Sequence, residues 1–193
     1  MSTARRLIRA VVGPRTRALL TLGTVFGLGA VATLAAWSDT ATATSGILST
    51  GTVDLALAGN QGNPAPYAFV GLSKTGMLPG HSVAATLPVQ NVGSLPLQYT
   101  MTAAGAGTVA QYLTVAVFTG AASNTATTGS CSGGQLGSTV LGATTTVVPT
   151  RGPLAATGGN ETLCFLVTLS AAAPASAQNQ SATATFTFAA TAS

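Results

Sequence analysis

Polar and apolar residues alternate one by one along much of the chain after residue 37, and helical spacing is scarce there. In the first such run, Val83, Ala85, Leu87 and Val89 fall on one face. An alternation with a period of two predicts β-strands that are buried on one face. The predicted strands are Val83–Val89, Leu95–Met101, Leu113–Phe118, Leu163–Leu169 and Thr183–Phe188.

Turn-forming residues separate these runs. Pro79-Gly80 has the residues of a type II turn, because proline fixes φ and glycine accepts a positive φ. Asn91–Ser94 lies between two alternating runs and is predicted to be a hairpin connection. Many short strands with glycine-rich turns predict an all-β fold, a jelly-roll-like antiparallel β-sandwich over residues 50–193. The predicted loops are Asn60–Pro66, Ala121–Gly137 and Thr150–Asn160.

The beginning of the chain has the three-part order of a secretory signal. Residues 1–17 carry five of the seven basic residues and no acidic one, and residues 18–37 carry no charge. We therefore predict a signal peptide over residues 1–35, with a basic region at 1–17 and an apolar helix at 18–35. The apolar run is also close to the roughly 20 residues that span a bilayer, so an uncleaved N-terminal anchor is the alternative. The following domain is exported in both cases.

Charge is almost absent from the rest of the chain. Only 5% of all residues are charged, against about 25% in an average soluble domain. The net charge of +4 comes from the leader, because the later residues carry two cations and three anions. Nucleic-acid binding needs a basic patch on the folded domain and is not expected here. The charged residues after the leader are Asp39, Asp54, Lys74, Arg151 and Glu161.

Two cysteines, Cys131 and Cys164, lie in the part that is predicted to be exported. An even number of cysteines outside the cell favours a disulfide, and two free thiols are the alternative. Closing a loop of this length would stabilise the fold by about 4 kcal/mol in the chain-entropy model.

The residues offer little for catalysis, and we predict no enzyme activity, no cofactor and no catalytic or metal-binding residues. His81 is the one histidine, and its spacing to Cys131 and Cys164 does not support a metal site. A serine nucleophile would need His81 as its base and Asp54 or Glu161 to orient it, but the chain has no GxSxG motif. We expect His81 in a solvated loop, Asp54 facing solvent on a strand and Glu161 at a loop edge.

A block around the end of the leader resembles the TasA/camelysin family, whose members carry SipW-type signal peptides. It runs from Thr33 to Asp39 (TLAAWSD) and on to Leu57 (TATATSGILSTGTVDLAL). The family has a small-residue cleavage site, an aromatic residue, a Ser/Asn-Asp pair and a threonine-rich spacer before a GtldL-like motif. The matching positions here are Trp37, Ser38, Asp39, Gly51, Thr52, Val53, Asp54 and Leu55.

The likeness continues along the chain. Leu78–Gly80 (LPG), Val89–Leu95 (VQNVGSL) and Asn179–Ala190 (NQSATATFTFAA) resemble the family's Pro-Gly turn, its N-x-G-s-l strand and its closing strand. The chain also departs from the family, since His81 stands where an acid is common and the cysteine pair is not a general family feature.

The resemblance implies cleavage between Ala35 and Ala36, a jelly-roll-like fold and secretion to the cell surface or biofilm matrix. It also implies fibres formed by donor-strand exchange, with residues 36–49 as the candidate donor strand. The expected partners are other copies of the chain, other matrix proteins and, during export, a signal peptidase. The membrane is contacted through the signal helix alone.

Two alternatives to a structural subunit remain open. One is a monomeric surface adhesion or binding module held by an uncleaved N-terminal helix. The other is a camelysin-like metallopeptidase, because the family has carried a peptidase label. We do not carry this label over, since the sequence supplies no recognisable set of metal ligands.

Overall fold

The structure is a computed structural model that describes residues 49–62 and 64–193. The predicted signal peptide, the cleavage site Ala35–Ala36, the motif residues Trp37, Ser38 and Asp39, and all of the candidate donor strand except Ser49 lie outside the described residues. Short 3-10 helices cover Val70–Leu72, Ala110–Tyr112 and Ala175–Ala177. The ten strands are β1 Leu55–Leu57, β2 Ser82–Asn91, β3 Leu97–Ala106, β4 Leu113–Thr119, β5 Ala122–Asn124, β6 Gly129–Cys131, β7 Gln135–Val140, β8 Thr145–Leu154, β9 Asn160–Leu169 and β10 Thr183–Ala192.

The strands form three antiparallel sheets. Five strands make one sheet in the order β1-β2-β9-β4-β7, three make a second in the order β10-β3-β8, and β5 and β6 form a separate hairpin. The prediction of an all-β fold is confirmed for the part of the chain that the structure describes. Within that part, no helix is long and apolar enough to cross a bilayer.

The two larger sheets bury their inner faces in one shared hydrophobic core. In β2, β3, β4 and β9 alternate residues point inward, as the period of two predicts, whereas the irregular β8 places the neighbours Val147 and Val148 in the core. In β9 these are Leu163, Phe165 and Val167, and all three belong to the core. The other strands contribute Val83, Leu87 and Val89 from β2, Leu97, Tyr99 and Met101 from β3, Val115 and Val117 from β4, and Val147, Val148 and Leu154 from β8.

The connection from β2 to β3 corrects two predictions. Asn91–Ser94 is not a hairpin turn, because β2 pairs with β1 and β9 whereas β3 pairs with β10 and β8. The chain therefore crosses from one sheet to the other here. β3 begins at Leu97 and not at Leu95, whose side chain is 36% exposed. Pro96 lacks an N–H for the ladder, and the Leu95 carbonyl accepts a bond from the Asn91 side chain at 2.8 Å.

Two predicted loops contain strands. The stretch 121–137 includes β5, β6 and the start of β7, and the stretch 150–160 includes the end of β8. Their residues are mostly small and polar, so alternation gives no signal. β8 also contains Pro149 and Pro153 and pairs with β3 through several register shifts, which hide a regular pattern. In the predicted loop Asn60–Pro66, residues 60–62 and 64–66 form no strand or helix, apart from an isolated bridge between Leu57 and Asn60.

A disulfide joins Cys131 of β6 to Cys164 of β9, with the Cα atoms 5.8 Å apart, and confirms that prediction. The bond fastens the β5–β6 hairpin onto the five-stranded sheet. Asn124 of the hairpin adds two more bonds, since its side-chain amide donates to the Ala84 carbonyl at 2.7 Å and accepts from the Ala84 N–H at 2.8 Å. The disulfide thus holds the hairpin to β9, and the two hydrogen bonds hold it to β2.

Candidate functional site

A groove of about 830 Å³ runs along one lateral side of the two sheets, between β10 and β1. None of the described residues that line it is charged. The walls are side chains that pack against the core but are only partly buried. Residues of β1, of the connection 58–81 and of β10 form these walls: Leu55, Leu57, Tyr67, Phe69, Leu72, Ala184, Phe186 and Phe188.

β10 forms one edge of this groove, and within residues 49–62 and 64–193 one of its sides has no strand partner. It pairs with β3 over ten consecutive residue pairs, from Thr183–Ala106 to Ala192–Leu97, without a bulge. Within the described residues β3 is its sole strand partner. Its sequence TATFTFAATA has no charge, proline or glycine. Natural edge strands are normally protected by such residues or by bulges, so β10 is an unprotected edge.

The ladder geometry shows which backbone groups of β10 are free. Ser193 donates its N–H to the Pro96 carbonyl at 3.1 Å, on the β3 side. In an antiparallel pair the bonding direction alternates from residue to residue. The odd-numbered residues of β10 therefore bond to β3, and the N–H and C=O groups of Ala184, Phe186, Phe188 and Ala190 point toward the groove.

On the opposite side of the groove, most backbone groups at the edge of β2 already have hydrogen-bond partners. β1 pairs only with the last three residues of β2. Beyond β1, Ala58 donates its N–H to the Pro88 carbonyl at 2.8 Å, and the Asn124 amide pairs with Ala84. Lys74 donates to the carbonyls of Ser82 and Ala126, both at 3.1 Å. Side chains and loop backbone thus bond most of the β2 edge, and β10 offers the longer free one.

The aromatic side chains of the groove walls pack against one another and against Phe165, a fully buried core residue. The Phe165 ring of β9 lies 4.8 Å from that of Phe186 and 5.4 Å from that of Phe69, measured between ring centroids. Tyr67 lies 6.5 Å from Phe69. Phe186 and Phe188 were predicted on the inward face of their strand, and they do face inward. They are half-buried, and no further strand in the described part of the chain covers them.

The family-motif residues that the structure describes form an anchor for the start of the domain. Thr52 accepts bonds at its carbonyl from the N–H groups of Ser94 (3.0 Å) and Leu95 (3.2 Å). Its own N–H donates to the Ser94 hydroxyl at 2.8 Å. Two motifs separated by forty residues in the sequence, GTVDL and NVGSL, therefore bind each other. Gly51, Val53 and Leu55 complete this segment, and Leu55 begins β1.

Asn91 and Gly93 give the NVGSL motif its structural role. The fully buried Asn91 amide donates to the carbonyls of Leu95, Leu154 and Ala155 and accepts from the Gly93 N–H at 2.9 Å. A Cβ at Gly93 would collide with the Thr52 carbonyl and the Asp54 nitrogen, so only glycine allows this approach. These residues are structural, and none of them lines the groove except Leu55.

Glu161 connects the two sheets and is not at a loop edge as predicted. It lies on β9, accepts a bond from the Tyr99 hydroxyl at 2.6 Å and pairs with Arg151 Nε at 2.8 Å. Tyr99 is 1% exposed. Burial first, and then the bond to Glu161, raise the pKa of Tyr99 above its usual range. The cluster keeps a neutral tyrosine and an ion pair at the boundary of the core.

The other candidates for chemistry lie apart from one another. His81 is half-buried beside the Pro79-Gly80 turn, where its Nδ1 accepts the Leu78 N–H at 3.2 Å. Asp54 precedes β1 and accepts a bond from Gln61 at 2.5 Å, so it is not on a strand as predicted. Hydrogen bonds thus link neither Asp54 nor Glu161 to His81. Within residues 49–62 and 64–193 no three His, Cys, Asp or Glu residues cluster as metal ligands.

Most residues of the groove could not be predicted from the sequence. The β10 face was predicted, but the inward aromatic residues of the β1–β2 connection were not. Tyr67 and Phe69 alternate with Ala68 and Val70, a short period-two signal inside a loop-like stretch.

Comparison with known proteins finds no family model and no curated protein that matches the chain. The TasA/camelysin resemblance therefore stays a prediction.

Proposed function

We propose that this protein is a secreted structural subunit of the cell surface or biofilm matrix that assembles into fibres by donor-strand exchange. The single observation that carries the proposal is the free edge of β10 above an uncharged apolar groove. In this mechanism an extended segment of one copy pairs with that edge in the next copy. A head-to-tail contact of this kind does not close on itself and produces a filament. We further propose that the fold is a jelly-roll-like sandwich.

Three features support this function. The described residues carry two cations and two anions, so little charge repulsion opposes self-association. The disulfide fits an oxidising compartment outside the cell. Finally, residues 36–49 (AWSDTATATSGILS) lie between the predicted cleavage site and the domain, where a free N-terminal segment would be released by processing.

The test uses the processed chain that begins at Ala36, imaged by electron microscopy over time at several concentrations. Deleting residues 36–49 should abolish filaments, because the donor strand is removed. A control that replaces the same residues by an equally long Gly/Ser segment should also fail to form filaments, since glycine disfavours strands. Filaments from either variant would contradict donor-strand exchange.

A wild-type chain that stays monomeric at every concentration would instead favour the alternative of an adhesion module. N-terminal sequencing of the exported protein would then decide whether the segment up to Trp37 is retained in the membrane fraction.

A further inference from the structure

We propose that residues 40–48 of a second copy are the segment that enters the groove, in one defined phase. Ala41, Ala43 and Ile47 face the groove, and Thr40, Thr42 and Thr44 face solvent. This inference rests on the proposed function and adds to it which side chains of the partner copy the groove accepts.

The phase follows from the pattern of β10 itself. Thr183–Thr187 reads TATFT, with exposed threonines and half-buried Ala184 and Phe186. Thr40–Thr44 reads TATAT. A strand that continues the three-stranded sheet beside β10 places its threonines next to those of β10, where cross-strand Thr–Thr pairs are favourable. A shift by one residue would bury the threonines and expose the alanines.

The sizes of the side chains also fit. The groove is already walled by the aromatic rings of Tyr67, Phe69, Phe186 and Phe188. Small residues opposite large ones fill such a layer without collisions, which matches Ala41 and Ala43.

The charge of Asp39 sets the N-terminal limit of the paired segment. Asp39 has the same parity as Ala41, and in this phase its carboxylate would enter a groove in which no lining residue is charged. Burying an unpaired carboxylate is costly, so the paired segment begins after Asp39. Toward the domain, Leu48 is the last residue before the described part of the chain, which leaves nine residues beside the ten of β10.

The bonding partners are defined by the ladder. The free N–H and C=O groups of β10 belong to Ala184, Phe186, Phe188 and Ala190, and they satisfy the backbone of the incoming strand. The β2 edge cannot serve in the same way over its length, because the Asn124 amide and the Lys74 ammonium group already occupy it.

The test compares Ala43→Asp with Thr42→Asp in the processed full chain. The two variants have the same net charge and adjacent positions, and differ only in the face that carries the carboxylate. We expect Ala43→Asp to raise the lowest concentration at which filaments form by at least about tenfold, because the charge is buried. Thr42→Asp should change that concentration by no more than about twofold, as for a surface substitution.

Other outcomes overturn the inference and separate it from the proposed function. If deletion of residues 36–49 abolishes filaments but both aspartate variants behave alike, or Thr42→Asp is the more damaging, the phase is wrong and the donor strand stands. If the deletion leaves filaments intact, the proposed function itself fails. If the chain is a monomer and Ala43→Asp promotes association, the segment occupies the groove of its own copy, which overturns the exchange.

Discussion

The two lateral sides of the molecule end their sheets in different ways. On one side β7 leads directly into β8, and Leu141 in this connection is 2% exposed. Gly137 of β7 lies so close to β8 that a Cβ would collide with the Val147 carbonyl. β8, the edge strand of the three-stranded sheet on this side, contains Pro149 and Pro153 and pairs with β3 through several register shifts. The sheets are closed and protected there.

On the side of β1 and β10 none of these devices is present within the described residues. β10 is long, regular and uncharged, and its inward phenylalanines are half-buried. An unprotected edge is an aggregation hazard unless something pairs with it. The difference between the two sides therefore supports the β10 edge as the place where the proposed donor strand would pair.

Truncating a core ring should destabilise the fold much more than truncating a ring of the groove wall. Phe165→Ala should lower the free energy of unfolding by about 3–5 kcal/mol, since the ring is fully buried. Phe186→Ala should cost roughly 1–2 kcal/mol, because its ring is only partly buried. Urea unfolding of the monomer measures both. Equal losses would mean that the groove wall is packed as tightly as the core and would weaken the contrast between the two sides.

A smaller effect tests the closed side. Gly137→Ala should destabilise the fold by about 1–3 kcal/mol, because the new methyl group forces β7 away from β8. Gly134→Ala is the matched control, since a Cβ there meets nothing within 4 Å, and it should stay within about 0.5 kcal/mol. The same unfolding measurement applies, and a Gly137→Ala variant as stable as the control would show that this side is not tightly closed.

The sequence predicted strands where large apolar residues alternate. The inward faces of β2 and β9 follow directly from Val83–Val89 and Leu163–Leu169, because burial on one face of a pleated strand requires that period. The sequence could not show which strands pair. Asn91–Ser94 has the composition of a hairpin, and only the buried Asn91 amide and its three carbonyl partners turn the chain toward the other sheet.

The groove could not be predicted from the sequence for a related reason. It depends on the lack of a second strand partner for β10 among the described residues. The pattern of β10 is the same whether a neighbouring strand covers it or not. Tyr67 and Phe69 gain their role from Phe165, which is about a hundred residues away in the chain. Cys131 and Cys164 could be paired from the sequence because two cysteines allow a single disulfide.

We expect the free edge of β10 to bind the incoming strand. A substitution at Ala184 can remove a single hydrogen-bond donor from that edge. Ala184 lines the groove and points its N–H toward it. Ala184→Pro removes that donor without removing a bond to β3, whereas Ala184→Val keeps the donor and is the matched control. Both variants should remain folded by circular dichroism.

The measurement is electron microscopy of the processed variants at equal concentration. We expect filaments from Ala184→Val and none from Ala184→Pro. Filaments from a folded Ala184→Pro chain at the wild-type yield would contradict pairing at the β10 edge.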